Sequence, residues 1–232
     1  MNIAAHDLEP AGLNDQAYET LKSDIIRCRL SPGEEVSEAR LASAYGIGKA
    51  STRSALSRLA QDGYVISIPR RGHVIAPVTL QMVQEVFDLR LLIEPQAAAN
   101  ACGRADVARL NELDRLCAQP LVPGDRESEN RFIINNRAFH MEIARASGNS
   151  RFVRIMGQIM DENTRFLHLA LVLKGRPKEL HGEHRDLIAA IVGNDPDSAR
   201  AVVVEHVHRV RQLVIDGLLE HSNLSRANIV PA

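Results

Sequence analysis

Residues 30–72 decide the fold class of this chain, and they read LSPGEEVSEARLASAYGIGKASTRSALSRLAQDGYVISIPRRG. Apolar residues recur at helical spacing in two short segments of this stretch. Ser37 can cap the first helix and Gly46 can end it, while the second helix ends at Asp62-Gly63. Two β-rich runs then flank residues 69–72, PRRG, and they predict a hairpin with a basic tip.

One more helix is predicted before this stretch, because Ala17, Tyr18, Leu21 and Ile25 share one helical face. Three helices followed by a hairpin are typical of a winged helix-turn-helix. The sequence pattern changes at Pro77-Val78-Thr79, so we predict a winged helix-turn-helix DNA-binding domain over residues 1–78.

The rest of the chain is predicted to be helical, because its apolar residues recur every three or four positions and no strand pattern is present. Pro95 lies inside the first predicted helix, which we expect to kink or break near Leu91 to Glu94. The predicted fold class is mainly α, with an all-α bundle over residues 79–220 and a tail over 221–232. The predicted helices are 80–102, 105–118, 127–146, 150–172, 177–192 and 196–220.

Composition excludes several classes of protein. The 232 residues are 45% hydrophobic and 25% charged, which excludes a disordered or fibrous chain. Their net charge is −1, so any nucleic-acid binding must come from a local patch. Three cysteines without a CxxC motif indicate a reducing compartment, and no targeting or membrane-spanning segment is visible. We therefore expect a cytoplasmic protein with no membrane partner.

The local basic patch lies between Lys49 and Arg71, a stretch that contains five basic residues and one acid, Asp62. Basic residues at the start of a recognition helix can reach base edges in the major groove, and a basic wing can contact the backbone or the minor groove. Each cation taken alone is more often a solvated surface charge than a DNA contact. The predicted DNA-binding residues are Arg40, Lys49, Ser51, Thr52, Arg53, Arg58, Arg70, Arg71, Gly72 and His73.

This domain resembles the winged helix of GntR-family transcription regulators. The resemblance rests on residues 30–33 (LSPG), 36–38 (VSE), 41–42 (LA), 45–47 (YGI), 53 (R), 55–56 (AL), 59 (L), 63–65 (GYV) and 70–72 (RRG). A Ser-Arg-Thr-Pro-Val-Arg-Glu stretch that is common in the family is replaced here by residues 48–54, GKASTRS. The resemblance implies binding to a double-stranded DNA operator.

Three histidines in the helical half lie on apolar stripes: His140, His184 and His206. Each alone is typical of a hydrogen-bonded core histidine. Together they indicate a shared metal site, because neutral imidazole is a common metal ligand and bundle cores build such sites. Asn136, one turn before His140, could add an oxygen ligand. The other histidines of this half, His168, His181, His208 and His221, are predicted to lie at the surface.

The helical half resembles the ligand-binding domain called FCD, found in the FadR subfamily of these regulators. Matching segments are residues 88–94 (DLRLLIE), 136–140 (NRAFH), 146–149 (ASGN), 183–184 (EH), 193–195 (GND) and 205–206 (EH). The resemblance implies a divalent metal, zinc first with nickel or manganese as alternatives. It would be held by His140, His184 and His206, with Asn136 where the family has Asp. It also implies a small carboxylate effector, for which Arg90 is a candidate clamp; the alternative for Arg90 is an ion pair with Glu94.

These observations predict a metabolite-responsive transcription regulator rather than an enzyme. We expect a repressor that acts as a homodimer on a pseudo-palindromic operator. One alternative is a metal-dependent hydrolase that uses the three histidines; against it, Glu142 and Glu183 are the only nearby acids, and helical phase turns both away. A second alternative is a structural helical dimer with packed histidines.

Overall fold

The computed structural model describes residues 12–122, 125–174 and 183–224. Two compact units divide the chain, Met1–Pro77 and Val78–Ala232. Each unit has its own hydrophobic core.

The first unit is a winged helix-turn-helix, as the sequence predicts. Its sheet has three antiparallel strands, β1 (Glu35–Val36), β2 (Val65–Ile68) and β3 (Gly72–Ile75). They lie in the order β1-β3-β2, with Val36 opposite His73 and Val65 opposite Ile75. The sequence pattern predicted β2 and β3 but missed the two-residue β1. The elements are α1 (Leu13–Ile26), β1 (Glu35–Val36), α2 (Glu38–Tyr45), α3 (Lys49–Gln61), β2 (Val65–Ile68) and β3 (Gly72–Ile75).

The turns that orient α3 follow from the residues that cap the helices. The Ser37 side chain accepts a hydrogen bond from the backbone amide of Arg40 and so begins α2. Gly46 ends α2 with a left-handed φ of 63°. The inward faces of α1 and α3 then meet through Leu21 and Leu56, both of which are buried in the core of this unit.

The second unit is all-helical within the described residues. Its helix α4 (Leu80–Ala101) continues through Pro95, so of the two predicted outcomes the break near Leu91 to Glu94 is wrong, while the kink stays a prediction. Pro95 is buried within this helix. The helix α9 (Pro196–Leu224) extends four residues into the predicted tail. The start of the predicted helix 177–192, residues 177–182, and the rest of the predicted tail, residues 225–232, lie outside the described residues. The helices are α4 (Leu80–Ala101), α5 (Val107–Cys117), α6 (Arg126–Ala146), α7 (Ser150–Lys174), α8 (Glu183–Val192) and α9 (Pro196–Leu224).

Within the described ranges, no helix is both long enough and apolar enough to cross a lipid bilayer.

Helices α7 (Ser150–Lys174) and α9 (Pro196–Leu224) lie close together where Gly217 faces Ala170. A Cβ atom placed on Gly217 would lie 2.7 Å from both the Cα and the Cβ of Ala170. This distance is far below van der Waals contact, and one of the two atoms belongs to the backbone. The crossing therefore requires glycine at position 217.

Gly217→Ala is expected to lower the free energy of unfolding of the second unit by about 1–3 kcal/mol, since the helices must move apart. Gly157 in α7 is the matched control, because nothing lies within 4 Å of its added Cβ. Gly157→Ala should raise stability by up to about 1 kcal/mol through helix propensity. Urea denaturation of both variants measures the difference, and equal effects would contradict the close crossing.

Candidate functional site

The N-terminal half of α3 presents two exposed cations to solvent. Lys49 is the first residue of the helix, and the Arg53 side chain is 73% exposed. Ala55 and Leu59 lie on the buried face of the same helix. The geometry therefore leaves the basic end of α3 free of the core, as a recognition helix requires.

Arg53 is held by Glu38 at the start of α2. Its Nε donates to both carboxylate oxygens at 2.9 and 3.0 Å, and its Nη2 donates to Oε2 at 2.8 Å. The hydrogen bond from Arg53 lowers the pKa of Glu38, while the carboxylate raises the pKa of Arg53. The ion pair fixes the guanidinium plane before any DNA is present.

Thr52 does not belong to the DNA-binding set, contrary to prediction. Its side chain is fully buried, and its hydroxyl donates to the carbonyl oxygen of Gly48 at 3.1 Å. In the helical phase Thr52 shares the core face with Leu56, so its hydroxyl points away from solvent. Ser51, its neighbour, is half-buried.

The wing places Arg70 and Arg71 at its exposed tip. Arg70 has a left-handed φ of 64°, and Gly72 follows with φ 103°. A Cβ on Gly72 would lie 3.0 Å from the carbonyl oxygen of Val36, so glycine is needed where β3 passes β1. His73 is half-buried, and its Nδ1 lies 3.1 Å from the Ser67 hydroxyl.

Two further predicted contacts, Arg40 and Arg58, are engaged within the unit. Arg40 pairs with Glu34 and donates to the carbonyl oxygen of Glu35. Arg58 lies in the last turn of α3, pairs with Asp15 at 2.6 Å and stacks 4.0 Å from the Tyr18 ring centroid. The structure thus separates Arg58 from the basic N-terminal end of its helix.

In the second unit, the three predicted histidines come together in the core. His140 on α6, His184 on α8 and His206 on α9 offer ring nitrogens that all lie within 4.8 Å of one another. Their exposed fractions are 4%, 4% and 7%. The ring of Phe139 stacks on that of His184 with 3.9 Å between centroids, which fixes the plane of that imidazole.

Glu94 on α4 orients the first of these histidines. Its Oε2 lies 3.2 Å from His140 Nδ1, so Nδ1 carries the proton and Nε2 presents its lone pair. His140 Nε2 is buried and has no hydrogen-bond partner. Histidines that bind a metal through one ring nitrogen usually donate the N–H of the other ring nitrogen to a carboxylate, as His140 does here.

Arg90 lies one helical turn before Glu94 on α4 and forms an ion pair with it. Its Nε donates to Glu94 at 2.5 Å and its Nη1 donates to Asn163 Oδ1 on α7 at 2.9 Å, while its buried Nη2 has no partner. Burial on its own would raise the pKa of Glu94, but the charge of Arg90 and the hydrogen bond from His140 hold that pKa far below its usual value. The ion pair with Glu94 is therefore present, and Arg90 still keeps one free donor.

The surroundings of His206 favour its neutral form. Burial lowers the pKa of His206 well below its usual value, and the nearby His140, His184 and Arg90 lower it further, while Glu94 opposes them. A neutral imidazole can bind a cation through its lone pair. Three neutral nitrogens with one open position form a donor set that suits zinc, so these residues fit the implied metal.

Asn136 is buried one turn before His140 on α6, where the sequence predicts it. A small cavity adjoins Glu94 and His140. Its other lining residues are apolar: Ala97, Ala98, Ile143, Met156, Leu187 and Val203.

His168 corrects a further prediction, because it is buried in α7 rather than exposed. His208 is exposed as expected, while the side chains of His181 and His221 lie outside the described part. Glu94 and Asn163 were not predicted as site residues. The one signal for Glu94 was its i, i+4 spacing from Arg90.

The chain matches two family models. Residues 85–209 match the FCD domain, and residues 13–75 match the family described as bacterial regulatory proteins, gntR family. The HTH-type transcriptional repressor RspR of Escherichia coli K12 is 20% identical over 202 residues, which cover 87% of this chain and 89% of that protein. The HTH-type transcriptional repressor GlaR of the same strain is 25% identical over 201 residues, covering 82% and 90%.

Solved structures agree with this fold. McbR/YncC of Escherichia coli superposes with a TM-score of 0.76 at 24% identity, covering 90% of this chain and 100% of that one. A GntR regulator of Rhodococcus sp. RHA1, described as putative, gives 0.73 at 17% identity, covering 88% and 97%. With the FCD match spanning more than half of the chain and the second match covering its winged helix, the chain belongs to the GntR family of bacterial regulatory proteins and is a DNA-binding transcription regulator with an FCD domain.

Proposed function

We propose that this chain is a repressor that binds a two-fold operator as a homodimer and releases it when a small carboxylate binds at a metal site in its second unit. The observation that carries the proposal is the buried cluster of His140, His184 and His206, with the His140 tautomer already set by Glu94. RspR and GlaR, both named as repressors, support the direction of regulation.

On DNA, Lys49 and Arg53 would face the edges of bases in the major groove. An Arg guanidinium can donate two parallel hydrogen bonds to guanine, whereas the Lys ammonium acts as a point charge. Arg70 and Arg71 would contact the phosphate backbone or the minor groove from the wing. Lys49 and Arg53 would therefore recognise bases, while Arg70 and Arg71 would position the domain on the DNA.

In the second unit, the three imidazoles would hold a divalent cation, with zinc the best match to their donor set. The bound cation would supply a Lewis-acid anchor for one carboxylate of the effector. Arg90 would donate its free Nη2 to the same effector, because a guanidinium retains directional donors after pairing with Glu94. The adjoining cavity would take the carbon skeleton.

The effector can lower operator affinity only to the extent that it binds one arrangement of the proposed dimer more tightly than the other. A tenfold loss of operator affinity needs about 1.4 kcal/mol of differential binding, and a nearly complete switch needs roughly 5 kcal/mol. A charge-assisted contact to Arg90 together with metal coordination is of the size required.

His184→Ala is expected to remove the bound metal and the response to carboxylates while leaving operator affinity unchanged, because His184 lies in the second unit. Elemental analysis of protein purified without a histidine tag measures the first effect, and operator binding with and without carboxylates measures the second. His208→Ala is the matched control, since His208 is exposed on α9.

Two results would contradict the proposal. A wild-type protein that contains no metal, and whose carboxylate response is unaffected by chelator, would favour packed core histidines. Zinc-dependent hydrolysis of simple esters would favour the hydrolase alternative.

A further inference from the structure

The candidate metal site has a neutral ligand set. Among the described residues, no Asp, Glu or Cys joins His140, His184 and His206 in the cluster. Asn136, the buried residue one turn before His140, also has a neutral side chain. The ligands therefore leave the whole charge of a bound divalent cation in place.

The acid next to the cluster does not compensate that charge. Glu94 is a carboxylate, but Arg90 lies 2.5 Å from it and balances it. Asp114 lies 3.6 Å from His184 Nδ1 and its side chain is 18% exposed, so it offsets only part of that charge. With a divalent cation bound, this buried site carries an excess of between about one and two positive charges, and buried charges are stable only when paired.

We infer that the effector is a small organic dianion, with two negative charges close together, and that Asn136 sets the preference for it over a monoanion. This inference rests on the proposed function, because it needs the metal and the anion site. One charged group would meet the cation, and the free Nη2 of Arg90 would be available to the other. The small cavity beside Glu94 and His140 limits the effector to a compact molecule.

The wild-type protein loaded with zinc provides the direct test. Succinate and succinamate have nearly the same shape and differ by one charge, so their affinities isolate the effect of that charge. We expect succinate to bind at least about tenfold more tightly, by calorimetry or thermal shift. Inorganic phosphate forms a parallel arm: we expect succinate to bind more tightly, and tighter binding of phosphate would contradict an organic dianion.

Asn136→Asp provides the reciprocal test. A carboxylate is a better ligand than an amide for a divalent cation, so this variant should keep zinc at higher chelator concentrations. It also removes one unit of positive charge, so the ratio of succinate to succinamate affinity should fall by about tenfold. Asn135→Asp is the matched control, because its side chain is half-exposed on the same helix, and it should change neither property.

The outcomes separate this inference from the proposed function. If the wild-type protein keeps zinc and binds carboxylates, but succinamate binds as tightly as succinate, the dianion preference is wrong. An unchanged affinity ratio in a folded, zinc-loaded Asn136→Asp protein would overturn the role of Asn136. Protein that retains no metal and binds none of these anions would instead refute the proposed function.

Discussion

Arg53→Ala should abolish sequence-specific operator binding. The Arg53 guanidinium is exposed near the start of α3 and already held in plane by Glu38. One bidentate contact between arginine and guanine is worth roughly tenfold to a hundredfold in discrimination against the wrong base. The proposed dimer would lose this contact in both half-sites, so the two losses would multiply. Fluorescence anisotropy with operator and scrambled DNA measures the change.

Two comparisons make that result diagnostic. Replacing Arg70 and Arg71 by alanine should weaken binding to both DNAs and reduce the slope of log affinity against log salt by roughly 0.9 for each lost phosphate contact. Arg58→Ala should leave DNA affinity unchanged, because this side chain is engaged with Asp15 and Tyr18. Operator affinity equal to wild type in Arg53→Ala would exclude the proposed docking of α3.

Glu94→Gln is expected to be among the most destabilising single changes in the second unit. It leaves the Arg90 guanidinium, which is fully buried, without a negative partner. Breaking a buried ion pair from one side costs about 3–5 kcal/mol. Urea denaturation followed by circular dichroism should show this loss, and metal content should fall as well because His140 loses its orienting carboxylate.

A second pair at the same helical spacing controls for this effect. Arg131 and Glu127 on α6 form an exposed i, i+4 ion pair, so Glu127→Gln should cost no more than about 0.5 kcal/mol. Adding Arg90→Met to Glu94→Gln should recover part of the lost stability by removing the orphaned charge. If Glu94→Gln and Glu127→Gln lower the free energy of unfolding by the same amount, burial does not add to the cost of breaking the Arg90–Glu94 pair.

Local sequence signals predicted much of the fold. Ser37, Gly46 and Gly63 act within a few residues of themselves, so the helices and turns around them could be predicted without knowledge of the tertiary structure. The strand Glu35–Val36 could not, because its two residues become a strand only by pairing with β3. Pro95 was misleading for a related reason, since packing of α4 outweighs the local cost of proline.

The three histidines of the candidate site could be predicted from the sequence, but the residues that contact them could not. His140, His184 and His206 stood out because each interrupts an apolar stripe on its own helix. Glu94 did not, because it reaches His140 from another helix, and only the packing of α4 against α6 brings them together. Thr52 was predicted as a DNA contact because it is polar and lies beside basic residues. Its position on α3 instead falls on the buried face of the helix.

The helix α4 has a mechanical property that follows from its proline. Pro95 has no amide hydrogen, so the carbonyl of Leu91 cannot receive the usual intrahelical hydrogen bond, and resistance to bending is lowest beside Glu94. The eleven residues from Leu80 to Arg90 contain no such gap and form a stiff helical segment about 15 Å long. Only Val78 and Thr79 separate that segment from the end of the first unit at Pro77. A displacement of Arg90 would therefore move this segment of α4 as one rigid body, instead of being absorbed by bending within it.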